Sequence, residues 1–109
     1  LPSTIRPDAM VALNDYMAMG AMAALQKHGL LPGEEVAVTG FDDNPIVQYL
    51  RPSLTTVRQP IWEIGKKVIE MLVYQLDEGK LPDPICSLIP PKLIIRQSSQ
   101  QRLKKGEEA

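Results

Sequence analysis

Ala9-Met10-Val11-Ala12-Leu13-Asn14-Asp15 is the stretch on which the reading of this chain turns. Five consecutive apolar residues are too few for a helix, and the run stops at Asn14-Asp15, so it predicts a buried strand followed by a helix capped by Asn14. From Asp15 to His28 strong helix formers dominate. Asp15 lies near the positive end of the helix dipole, Lys27 and His28 lie near its negative end, and Gly29 stands where a helix stop is expected. A turn with Pro32 and Gly33 leads to Val36-Ala37-Val38-Thr39-Gly40-Phe41, a second short β-rich run that ends at Asp42 and Asp43. Strand, helix and strand with short joins make a βαβ unit. The expected fold class is therefore α/β, a parallel sheet with flanking helices.

Outward from this unit, residues Asn44 to Ser53, broken by Pro45 and Pro52, read as a loop with room for one short helical turn. Leu54-Thr55-Thr56-Val57-Arg58 reads as a strand. Pro60 opens a second helix, whose apolar positions Ile61, Ile64, Val68, Met71 or Leu72, and Leu76 keep the helical period until Gly79. A connection rich in proline (Pro82, Pro84, Pro90, Pro91) precedes a last strand, Lys92-Leu93-Ile94-Ile95-Arg96, and from Gln100 to Ala109 the tail is polar and expected to fray.

The whole is 109 residues, one domain at most, with 12 basic and 13 acidic side chains and a net charge of −1. No polyanion-binding surface is announced, so any contact with DNA is expected to be made elsewhere. A single cysteine, Cys86, excludes an intrachain disulfide framework and suits a reducing, cytoplasmic setting. No apolar run approaches the ~18 residues of a membrane span, and the first residues carry no basic, then apolar, leader pattern. A soluble chain with no membrane partner is expected. It opens on Leu1 rather than Met, which leaves a mature product, a processed terminus and a fragment all open.

In an open parallel sheet, ligands collect beyond the carboxyl ends of the strands. Asn14 follows the first strand and Asp42 the second, so the βαβ unit is expected to bring both to one edge, where donor and acceptor chemistry suits a hydroxylated ligand such as a sugar or nucleoside. Local chemistry alone reads Asn14 equally as an N-cap and Asp42-Asp43 as turn residues. Catalytic groupings are scarce. His28 reads as a helix-end cation, Cys86 has no histidine near it in sequence, and Asp42, Asp43 and the separate Asp83 cannot assemble a calcium shell. Gly33 and Gly40 form no phosphate-cradling pattern, and Trp62 reads as a packing anchor before a ligand-stacking ring. Neither an enzyme, a cofactor nor a metal is expected. The first helix carries two apolar stripes, Met17, Ala21, Ala24 and Leu25 on one face, and Met19, Met22, Ala23 and Gln26 on another. One would face the sheet; the other calls equally for a further layer of the same protein or for a partner chain.

Taken together, Pro7-Asp8-Ala9-Met10-Val11-Ala12-Leu13-Asn14-Asp15, Met17-Ala18-Met19-Gly20-Ala21, Val36-Ala37-Val38-Thr39-Gly40-Phe41-Asp42-Asp43 and Leu54-Thr55-Thr56-Val57-Arg58-Gln59-Pro60 resemble the C-terminal third of LacI/GalR-type transcriptional repressors. The resemblance implies part of a periplasmic-binding-protein-like type I fold, two α/β subdomains with a small-molecule effector in the cleft between them. Residues 1–99 would belong to that effector-binding domain, with 60–89 packing in the other subdomain after a crossing at Gln59 and Pro60 and before a return at Pro90 and Pro91. It implies ligand contacts at Asn14 and Asp42, and at Ile61, where some members place an aromatic ring. It implies a homodimer through Met19, Met22, Ala23 and Leu50, and operator binding through a helix-turn-helix domain absent from this chain. A periplasmic solute-binding protein of a sugar transporter shares the fold and is the second reading; an α/β enzyme fragment with its catalytic residues upstream is the third.

Overall fold

The computed structural model describes residues 5–83 and 86–100. Pro84 of the proline-rich connection and the polar tail beyond Gln100 lie outside the described residues. The described chain forms two compact units: the first runs up to Arg58 and resumes at Leu93, the second is Gln59–Lys92.

In the first unit, β1 (Ala9–Val11) lies parallel to β2 (Ala37–Thr39) in the register Ala9 to Ala37, Met10 to Val38 and Val11 to Thr39. Parallel strands need a crossover, and α1 (Asp15–Lys27) supplies it. The Asn14 side chain accepts from the Met17 amide at 2.9 Å, the N-cap bond that the sequence calls for. At the other end Gly29 has φ +76°, the left-handed stop. His28 Nδ1 lies 2.8 Å from the Ala24 carbonyl. A carbonyl only accepts, so Nδ1 carries the proton, and this histidine closes the helix as expected. The sheet continues through parallel bridges from Thr39 to Thr55 and from Asp42 to Arg58, which set β3 (Thr56–Arg58) beside β2, and β4 (Lys92–Ile94) lies beside β3. Each strand is shorter than its apolar run in sequence; Val36 and Leu54 lie just outside β2 and β3 and are fully buried, whereas the buried strand expected at Ala9–Leu13 is open on one face, with Val11 and Leu13 exposed. Within the proline-broken loop, Pro45–Tyr49 makes one 3-10 turn, and a second, Gln97–Ser99, follows β4.

The core is Ala18, Met22, Leu25, Val36, Val38, Val47 and Leu54, with Met10, Ala12, Met19, Leu30 and Leu50 packed on its margin. This corrects the division of α1 into stripes. The inward row is Asp15, Ala18, Met22 and Leu25, at helical spacing, while Met17 is exposed. Met22, expected at a dimer contact, is only 5% exposed and is held by its own chain's core, so it has almost no surface to offer a second copy.

The second unit is built on α2 (Ile61–Glu78), one residue shorter than the sequence suggests because Pro60 takes the N-cap position. Gly79 ends it in the left-handed conformation, its N–H donating to the Gln75 carbonyl. The apolar period is present at Ile61, Ile64, Val68, Leu72 and Leu76, yet no residue of α2 is buried. Trp62, read as a packing anchor, is exposed.

Candidate functional site

The carboxyl ends of β1, β2 and β3 share one edge of the first unit. Beyond β1 the Ala12 amide donates to the Thr39 carbonyl, and one step further the Asp15 amide donates to Phe41 at 3.1 Å. The start of α1 therefore sits directly beside the loop that leaves β2, and Asn14 and Asp42, both half-buried, fall on the same edge. This is the placement that strand order predicts. Asn14 spends its side-chain oxygen on the helix cap and keeps its amide nitrogen for other partners. Asp42 has φ +119° and Asp43 φ +57°, two consecutive non-glycine residues in backbone conformations that L side chains rarely adopt.

Three successive amides of this loop are each held by a different group. The Asp42 N–H donates to the Val57 carbonyl at 2.9 Å, the Asp43 N–H to the Thr56 hydroxyl oxygen at 3.2 Å, and the Asn44 N–H to Asp15 Oδ2 at 2.6 Å. Asp15 is fully buried, and its other oxygen accepts from the Thr56 hydroxyl at 2.6 Å. A carboxylate can stay in a dry interior only with such donors around it. Gly40 makes room for it: a Cβ there would lie 2.5 Å from Asp15 Oδ1. Sequence reading gives Asp15 only a helix-dipole role, because the partners that bury it are 29 and 41 residues away.

For Asp43 the sequence likewise suggests only a turn role. Its carboxylate accepts from Arg58 Nε at 2.7 Å and from Arg96 Nη1 at 2.9 Å, with its side chain 9% exposed. Burial pushes its pKa up, but the hydrogen bonds from Arg58 and Arg96 and their positive charges outweigh that, and the net shift is downward. Arg96 also donates to the Leu54 carbonyl, and its backbone amide donates to the Thr55 hydroxyl oxygen. The C-terminal segment is thereby tied to the start of β3.

The other expected residues belong to other elements of the two units. Leu50 is half-buried on the core margin, Ala23 is exposed on α1, and Ile61 is exposed on the first turn of α2. Gln59 and Pro60 stand where the chain enters the second unit, and Pro90 and Pro91 shortly before it leaves. Among the described residues no three of His, Cys, Asp and Glu gather closely enough to hold a metal, Cys86 is exposed, and no helix is long and apolar enough to cross a membrane. A concavity of about 450 Å³, which sequence reading did not anticipate, lies at the amino end of β2, bordered by Gln26, Pro32, Gly33, Arg51 and Gln97.

A parallel α/β unit with polar residues gathered at the carboxyl edge of its strands is the build of a periplasmic binding protein-like domain, and residues 1–99 match the family model of that description. Within that class, the chain belongs to the LacI/GalR family of transcriptional regulators. It is 42% identical over 90 residues to the HTH-type transcriptional regulator AscG of Escherichia coli K12, covering 83% of this chain and 26% of that protein. A regulatory protein of the LacI family from Chloroflexus aggregans superposes with a TM-score of 0.80 at 52% identity, over 91% of this chain and 34% of that one. The lac repressor dimer, solved on its operator with the anti-inducer ONPF, gives a TM-score of 0.75 at 33% identity, over 88% of this chain and 28% of that one. This chain thus spans about a quarter of AscG's length. AscG, the PurR repressors of Vibrio and the Chloroflexus aggregans protein are named as regulators or repressors.

Proposed function

We propose that this chain is the effector-binding part of a cytoplasmic transcriptional repressor, with operator contact made by a helix-turn-helix segment outside these 109 residues. The observation that carries the reading is the shared edge: one βαβ unit has Asn14 and Asp42 following the carboxyl ends of adjacent parallel strands, in a chain whose relatives are regulators. The Asn14 amide donates and the Asp42 carboxylate accepts, a pair that suits vicinal hydroxyls of a sugar or nucleoside. Ile61 enters as a third ligand contact on the resemblance alone. The net charge of −1 supports placing DNA contact elsewhere.

Met19, Ala23 and Leu50 are proposed as contacts of a homodimer. Ala23 is exposed beside the half-buried Met19, and a related repressor is solved as a dimer. Residues 60–89 are proposed to pack in a second subdomain, where the apolar period of α2 would find its cover.

Calorimetric titration of the full-length gene product with a panel of mono- and disaccharides and nucleosides tests the central claim. At least one member should bind, and Asp42→Ala should weaken that binding by about 1–3 kcal/mol, the range for a hydrogen bond to a charged group. No binding across the panel, or an unchanged affinity in the variant, overturns the reading.

A further inference from the structure

The structure holds Asp42 in a conformation that its own residue type does not favour, and the hold is made by its neighbour. Asp43 sits between Asp42 and Asn44, whose amides are fixed by Val57 and by the buried Asp15. Its own amide bonds Thr56, and its carboxylate bridges Arg58 and Arg96. These two arginines come from far apart in sequence. Arg58 is the last residue before the chain enters the second unit, and Arg96 comes just after the chain has returned from it. One carboxylate therefore fastens both passages of the chain to the loop that carries Asp42.

The pairing is well suited to fixing geometry. Arg96 is 14% exposed and is also held by the Leu54 carbonyl, so its fork cannot swing away, and charge-assisted bonds at 2.7 and 2.9 Å are short enough to be directional. Without that anchor the loop would be held by its three backbone amide bonds alone, and Asp42, whose φ of +119° lies outside the left-handed region that aspartate tolerates, would be the residue freed to turn. We propose that Asp43 is a positioning residue for ligand binding, setting the direction of the Asp42 carboxylate by clamping its loop to Arg58 and Arg96. The proposal rests on the reading of Asp42 as a ligand contact. Asp43 itself needs no contact with the ligand.

The test is a double-mutant cycle on the full-length protein, with the tightest binder of the sugar and nucleoside panel as probe. Asp43→Asn keeps the shape and removes the charge that holds two guanidiniums. It should weaken binding about tenfold in the wild-type background, the loss expected when one charged hydrogen bond is misaligned. In an Asp42→Asn background the same change should have little further effect, because the group being positioned is already altered. A purely structural role would lower affinity by the same factor in both backgrounds, and that additivity overturns the proposal. So does unchanged affinity in Asp43→Asn alone. If Asp42→Asn has no effect, or no panel member binds, the ligand site itself has been misread and the proposal falls with it. Arg58→Gln, at a half-exposed position that the fold tolerates more easily, repeats the cycle should Asp43→Asn fail to fold, with the same non-additive pattern expected.

Discussion

Removing the Asp15 carboxylate should be among the most damaging single changes in the first unit. The side chain is fully buried and accepts two bonds of 2.6 Å, from the Asn44 amide and the Thr56 hydroxyl. Asp15→Ala deletes both acceptors and leaves the Asn44 amide and the Thr56 hydroxyl hydrogen without their acceptors. Each bond to a charged group contributes about 1.5–3 kcal/mol, so the expected loss is roughly 3–6 kcal/mol. That is a large share of the ~5–15 kcal/mol by which a domain is stable. Asp15→Asn separates the causes. Its remaining oxygen can still accept from Asn44, and its amide can turn toward the Thr56 hydroxyl oxygen, which accepts as well as donates. The Asn variant should therefore lose about half as much or less. Urea unfolding followed by circular dichroism, with midpoints and slopes compared, gives both numbers. A loss below about 1 kcal/mol in the Ala variant, or equal losses in the two, would refute the assignment of the buried carboxylate as the group that holds the loop.

Asp43 makes stability depend on pH. Its folded pKa lies below the usual 3.8, so its pairing with Arg58 and Arg96 stabilises fully above that value and is lost as pH falls through the lower folded pKa; urea midpoints measured from about pH 6 to about pH 3 should fall less steeply in Asp43→Asn than in the wild type. Met22→Ala should cost about 2–5 kcal/mol of stability, as expected for truncating a buried methionine, whereas Ala23→Glu should leave stability nearly unchanged and shift sedimentation toward monomer. The opposite pattern would return Met22 to the interface.

What the sequence shows well is what is written locally. The Asn14 cap, the Gly29 and Gly79 stops, the α1 crossover and the order of strands all rest on residues within a few positions of one another, and all are found. The inward row of α1 was harder, because Ala18, Ala21, Ala23 and Ala24 leave no polar face to mark which side is wet. The buried Asp15 and the bridging Asp43 were illegible for a different reason: their partners lie 15 to 53 residues away, and nothing in an Asn-Asp or Asp-Asp pair distinguishes a turn from a network. Asn14 and Asp42 were legible as neighbours only because a parallel βαβ unit must put both at one edge.

The three occupied amides at residues 42 to 44 also bear on which small molecules this loop can greet. Consecutive N–H groups in a tight turn commonly form a receptor for phosphate, and two arginines nearby would strengthen it. Here every one of those hydrogens is already engaged by Val57, Thr56 or Asp15, and both guanidiniums are engaged by Asp43. A phosphoryl group approaching the loop finds none of these three amides free and must compete with Asp43 for the arginine charge. If Asp42 contacts the ligand as proposed, the loop should discriminate by charge before shape, and the phosphorylated form of a metabolite is expected to bind more weakly than its neutral, hydroxyl-bearing form.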